Sequence, residues 1–239
     1  VSQAGPLGPT EMMIHLLSRE VRDKEVSATG TLSPIPAAAC YLAQLTHAPQ
    51  AKLAILDAPD WPFDGELEEL FNMVQRGRVG LFFLSGAQID QEANINLVAI
   101  GQHHRPQVRL PGGAGSAMVY LHSLRVALFL RHQSARNLVK RVDFVTAPGG
   151  GPGPGRPGGP TRLVTDLAAF DYRPDKGLAL TSIHPWTTPR EVQERTGFDL
   201  GLTGREPLSE EPGPEILELI HGPVKERLAR VYPLFAEEL

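Results

Sequence analysis

Three short runs, Ala51–Leu56 (AKLAIL), Val79–Leu84 (VGLFFL) and Val126–Leu130 (VALFL), are apolar at nearly every position. A strand wetted on one face alternates apolar and polar residues. A run without that alternation is buried on both faces, as in a parallel sheet covered by helices. Segments with helical spacing lie among these runs. Thr10 is placed to cap a helix reaching Arg22, with Met13, Ile14, Leu17 and Val21 on one face. Ser33-Pro34 opens a second helix carrying Ala38, Leu42 and Leu45, and Glu66 to Arg76 a third, with Leu67, Leu70, Phe71 and Val74 inward. Further strands are predicted at Glu25–Gly30, Val142–Val145 and Thr161–Val164, with a hairpin of Ala168–Tyr172 and Leu178–Ile183 around Pro174-Asp175-Lys176-Gly177. Thr188-Pro189-Arg190-Glu191 has the form of a capping box, and a last helix is expected from Pro214 to Ile220. The expected fold is α/β: an open, mainly parallel sheet with helices on both faces and a C-terminal hairpin and helices.

At 239 residues the chain is long enough for one self-sufficient core, and residues 1–239 are read as a single domain. Pro148 to Pro160 (PGGGPGPGRPGGP) can sustain neither a helix nor a ladder, so 148–160 is expected to be a flexible surface loop. A lone cysteine, Cys40, excludes an internal disulfide framework and a CxxC zinc site, and no metal site is expected. The formal charge of −4 gives no basic face for nucleic acid. No apolar run approaches the roughly 18 residues of a membrane span. The start, VSQAGPLGPTE, lacks the basic and apolar stretches of a signal peptide, so a cytoplasmic protein is expected.

Open parallel sheets bind ligands beyond the carboxyl ends of their strands, which directs attention to the strand-exit loops. Asp57 follows the AKLAIL strand and reads either as a nucleophile or general base or as a turn aspartate before Pro59. Gly86, Gln88 and Asn94 lie in SGAQIDQEANIN, which offers close backbone approach and amides, or simply a polar hairpin. Gly112, Gly113 and Ala114 open a glycine turn whose N–H groups suit an anion or oxyanion, although the same turn could serve only to join two elements. It lacks the Lys-Ser/Thr of a P-loop and the GxGxxG spacing. His103-His104 is read as a hydrogen-bonded structural pair in an extended segment, and Trp186 as packing.

Taken in order, SGAQIDQEANIN, IGQHHRPQVRLPGGAGSA, KRVDFVTAPG, RLVTDLAAFDY and HPWTTPREVQERTGFDL resemble the beta subunit of family I CoA-transferases, the glutaconate type in particular. The resemblance spans roughly Ser27 to Leu200. It implies a homologous alpha subunit across a cleft, acyl-CoA and a carboxylic acid as substrates, and no permanently bound cofactor. It also implies an enzyme carboxylate that carries CoA as a thioester. The G-G-A turn at Gly112, Gly113 and Ala114 would lie at the thioester, with Gly86, Gln88 and Asn94 nearby. Two departures stand out. The family's nucleophile is a glutamate in E-S-G or E-N-G, whereas this chain reads Ile55-Leu56-Asp57-Ala58-Pro59, making Asp57 the nearest equivalent. Ala93 replaces the usual glycine before Asn94. Relatives without the glutamate hydrolyse CoA-linked ring diketones, so a hydrolase subunit and a non-catalytic CoA-binding relative are the alternatives.

Overall fold

The computed structural model describes residues 6–56, 58–65 and 67–239. Its first half alternates α1 (Pro9–Ser18), β1 (Val26–Thr29), α2 (Pro34–Leu45), β2 (Lys52–Ile55), α3 (Leu67–Gln75) and β3 (Leu81–Leu84). Two small hairpins follow, β4 (Gln88–Asp90) with β5 (Ile95–Asn96) and β6 (Ala99–Gln102) with β7 (Arg105–Arg109). The alternation resumes with α4 (Ser116–His122), β8 (Val126–Leu130), β9 (Leu138–Val139) and β10 (Pro160–Thr165). It closes with β11 (Ala168–Arg173), β12 (Gly177–Ile183), α5 (Pro189–Glu194), α6 (Pro214–Leu219), α7 (Lys225–Ala229) and α8 (Pro233–Glu238).

Seven strands form the main sheet in the order β12-β11-β10-β8-β3-β1-β2. The five from β10 to β2 are parallel, and the β11–β12 hairpin continues the sheet antiparallel, as the sequence predicts. Successive strand residues point to opposite faces, and the two cores record this. Leu53, Ile55, Leu81, Phe83 and Phe129 pack with α1, α2 and the C-terminal helices. Ala54, Phe82, Leu84, Val126 and Leu128 pack with α3, α4 and the β4–β5 hairpin. Every residue of β3 and β8 is buried, because a sheet covered on both faces has no wet side.

Three expectations change. The first helix starts at Pro9, not after Thr10: Pro9 presets the first turn, and the Gly8 N–H donates to Glu11 Oε2 at 2.9 Å. Val142–Val145 is not a strand, and Val145 is 48% exposed. Side chains replace a ladder there, since the Val142 N–H donates to Asp90 Oδ2 and the Asp143 N–H to Gln88 Oε1. The last predicted helix runs on from α6 into α7 through a π turn at Ile220–Val224 that contains Pro223. Proline has no N–H to give a tight α turn, and a widened turn accommodates it. Among the described residues no helix is long and apolar enough to cross a membrane.

Candidate functional site

A cleft of about 440 Å³ opens at the carboxyl ends of the parallel strands. The exit of β1 supplies Gly30 to Ser33, β2 supplies Leu56, and β3 supplies Ser85 and Gly86. One wall is the apolar face of α3, with Leu67, Leu70 and Phe71. The other is the turn Gly112–Ser116, with Val119 one helical turn further on. Among the described residues no lining side chain is charged or titratable.

The turn is anchored from both sides. The Gly112 N–H donates to Leu97 O at 2.9 Å, and the Leu97 N–H donates to Thr146 Oγ1 at 2.9 Å. The Ser116 N–H donates back to Gly113 O at 2.8 Å. Neither Gly113 nor Ala114 gives its N–H to any described group. So the N–H groups of Gly113 and Ala114 have no described partner, while that of Gly112 is committed to Leu97 O. The Gly115 backbone lies so close to the Phe71 ring that an added Cβ would fall 2.6 Å from the ring edge. Ala114 holds φ 42°, a left-handed conformation unusual outside glycine.

Gly86, Gly112, Gly113 and Ala114 therefore converge on one cleft. Gln88 and Asn94 do not line it. The Gln88 amide oxygen accepts from Asn96 Nδ2 and from the Asp143 N–H, and its Nε2 donates to Asp143 Oδ2. Asn94 Nδ2 donates to Asp90 Oδ2, and its Oδ1 accepts from the Gly149 N–H at 2.8 Å. Both amides are spent inside the protein, shaping the β4–β5 hairpin. Asp57 lies outside the described residues; its chain neighbour Leu56 lines the cleft.

The other predicted features have structural settings. Ala93, where the family pattern has glycine, adopts φ 63° with its methyl fully buried. That conformation costs about 1–2 kcal/mol for a residue with a Cβ. The Tyr120 hydroxyl holds the turn by donating to Ala93 O at 2.6 Å. His103 and His104 are not in an extended segment; they form the tip of the β6–β7 hairpin, where the His103 ring stacks on Phe144. Cys40 is buried in α2, where desolvation raises its thiol pKa far above the usual range. Among the described residues no group of side chains is arranged to hold a metal ion. Sequence reasoning missed Leu32, Leu97 and Thr146 as parts of the site, because their roles arise from tertiary placement and no motif marks them.

A parallel α/β sheet with a strand-end cleft facing a glycine turn defines the class of site. The family model for Coenzyme A transferase matches residues 58–195, and the chain belongs to that family. It is 33% identical to the beta (B) subunit of 3-oxoadipate CoA-transferase from Pseudomonas knackmussii, over 87% of this chain and 89% of that one. It is 35% identical to the corresponding subunit of glutaconate CoA-transferase from Acidaminococcus fermentans, over 58% of this chain and 54% of that one. Among solved structures, the decarboxylase AibA/AibB superposes with a TM-score of 0.79 at 27% identity, covering 98% of this chain and 99% of that one. The chain is a CoA-transferase subunit of the beta type, as its motifs imply.

Proposed function

We propose that this chain, with a homologous alpha subunit across the cleft, moves CoA from an acyl-CoA to a free carboxylic acid, and that Asp57 carries the CoA. The observation behind this reading is that Leu56, the residue before Asp57, lines one cleft with Gly113 and Ala114, whose N–H groups have no described partner, and that no described side chain of that cleft is charged. A carboxylate moved into such surroundings loses hydration and becomes a stronger nucleophile. Two backbone N–H groups facing the tetrahedral oxyanion lower the barrier without reorganisation.

In the first step an Asp57 carboxylate oxygen bonds to the thioester carbon. The C–S bond breaks, leaving a mixed anhydride and CoA thiolate. The thiolate then bonds to the Asp57 carbonyl carbon, and the substrate's acyl group leaves as its carboxylate. The incoming acid reverses both steps, so nothing is oxidised or reduced and no water is consumed. Coenzyme A is a substrate, with no permanently bound cofactor required. A cytoplasmic location accords with this, since CoA thioesters are cytoplasmic metabolites.

The test uses the complex of this chain with its alpha subunit, in water enriched in oxygen-18. Transfer predicts ping-pong kinetics, dependence on an acceptor acid and no solvent label in the released acid. Acceptor-independent turnover with solvent oxygen in the product would replace transfer by hydrolysis. A decarboxylase reading has one observation in its favour, the match to AibA/AibB along nearly the whole chain. Release of carbon dioxide without acceptor would establish it instead.

A further inference from the structure

We propose that the cleft between α3, the Gly112–Ser116 turn and the ends of β1, β2 and β3 is the acyl subsite, and that it selects an apolar monocarboxylic acyl group over a dicarboxylic one. The proposal rests on the transferase reading for its role in catalysis, while its chemistry stands on the cleft itself.

The volume, about 440 Å³, lies in the range of small-molecule sites. The space next to the Gly113 and Ala114 N–H groups is where the thioester carbonyl would sit. The acyl group leading away from it meets Leu70, Phe71, Leu84, Leu97, Val119 and Phe129. The polar groups of the described lining are hydroxyls and backbone. The Ser85 hydroxyl is already given to Phe129 O at 2.6 Å. Among the described residues no lysine, arginine or histidine lines the cleft. The residues outside the described set, 1–5, 57 and 66, include no lysine, arginine or histidine either, so this chain places no cationic side chain in the cleft.

A second carboxylate at the far end of an acyl chain would therefore be stripped of water with no counter-charge from this subunit, a heavy cost in apolar surroundings. Each methylene placed there instead favours binding by about fourfold. Phe71, whose ring rests on the Gly115 backbone, limits how far the acyl group extends. Leu32, 87% exposed at the cleft mouth, is a place where a cation could enter without disturbing the core.

The experiment compares hexanoyl-CoA with adipyl-CoA, which differ by one terminal carboxylate, on the complex with the alpha subunit. Binding is read by calorimetry and transfer by kcat/KM. The expected result is a preference for hexanoyl-CoA of about 100-fold in both. The Leu32→Arg variant is expected to narrow that ratio by about two- to fivefold by pairing the added carboxylate at the exposed mouth. Phe71→Leu should move the chain-length optimum upward. Equal or tighter binding of adipyl-CoA, or binding of neither thioester, overturns the subsite. Transfer that favours adipyl-CoA also overturns it while leaving the transferase reading intact. Selective binding of hexanoyl-CoA with no transfer does the reverse.

Discussion

His184 is fully buried at the end of β12, with partners that fix its tautomer. Nε2 lies 3.0 Å from Thr165 O, a carbonyl that can only accept, so Nε2 carries the proton. Nδ1 then accepts from the Ser209 hydroxyl at 2.8 Å, which in turn accepts from Ser182. Burial pushes the imidazole pKa down to about 4, partly opposed by the hydrogen bond to Thr165. The folded value lies below the ordinary 6.5, so the unfolded chain binds the extra proton first as pH falls. The contribution to stability is complete above about pH 6.5 and drains away toward pH 4, on the order of 3 kcal/mol across the window. Denaturant midpoints at pH 4.5 and 7.5 check this: the natural chain should lose stability on acidification, and His184→Gln should flatten that component. An unchanged pH slope in the variant would assign the acid sensitivity to other groups. Nothing in the sequence near His184 signals this network, because Thr165 and Ser209 come from 19 and 25 residues away. Trp186 is likewise only half legible: it tilts against His184, yet it is 37% exposed and its indole N–H donates to Asp166 O.

The parallel strands were readable because a run such as VGLFFL has no wet face and so leaves one architecture open to it. The β11–β12 hairpin was readable from its Pro-Asp-Lys-Gly turn. The Val142 segment was not, since its apolar residues imitate a strand while side chains of Asp90 and Gln88 satisfy its backbone. The Gly/Pro segment divides in a way composition could not reveal. A Cβ on Gly149 would fall 1.8 Å from Glu92 O, whereas one on Gly153 would meet nothing within 4 Å. Gly149→Ala is therefore expected to cost about 3 kcal/mol by forcing β4–β5 and this segment apart. Gly153→Ala should stay within about 0.5 kcal/mol of the natural chain. Thermal or denaturant unfolding of the two variants reads the difference, and equal stabilities would mean the segment does not pack against the hairpin in solution. Arg156 marks the same anchored end: it donates to Gly149 O and lies over the Tyr120 ring, 5.3 Å from its centroid.

Across the whole molecule, the order of short motifs was enough to place the chain among CoA-transferases, because their spacing records which loops the sheet brings to one end. The glycine turn and Gly86 were found this way and do share a cleft. Gln88 and Asn94 belong to the same motif, yet they serve the hairpin, and a motif alone cannot tell a ligand-binding amide from one already bonded inside the fold. Net charge was a poor guide to the site: a chain of −4 presents a cleft lined by no charged described side chain. In the proposed mechanism a carboxylate of this chain, that of Asp57, holds CoA during turnover. Borohydride added to the complex with acyl-CoA, followed by peptide mass spectrometry, tests it most directly. If Asp57 is the carrier, its carboxyl, and no other, is reduced to a primary alcohol, and Asp57→Asn abolishes both the label and transfer. Active transfer with Asp57 unlabelled would contradict it.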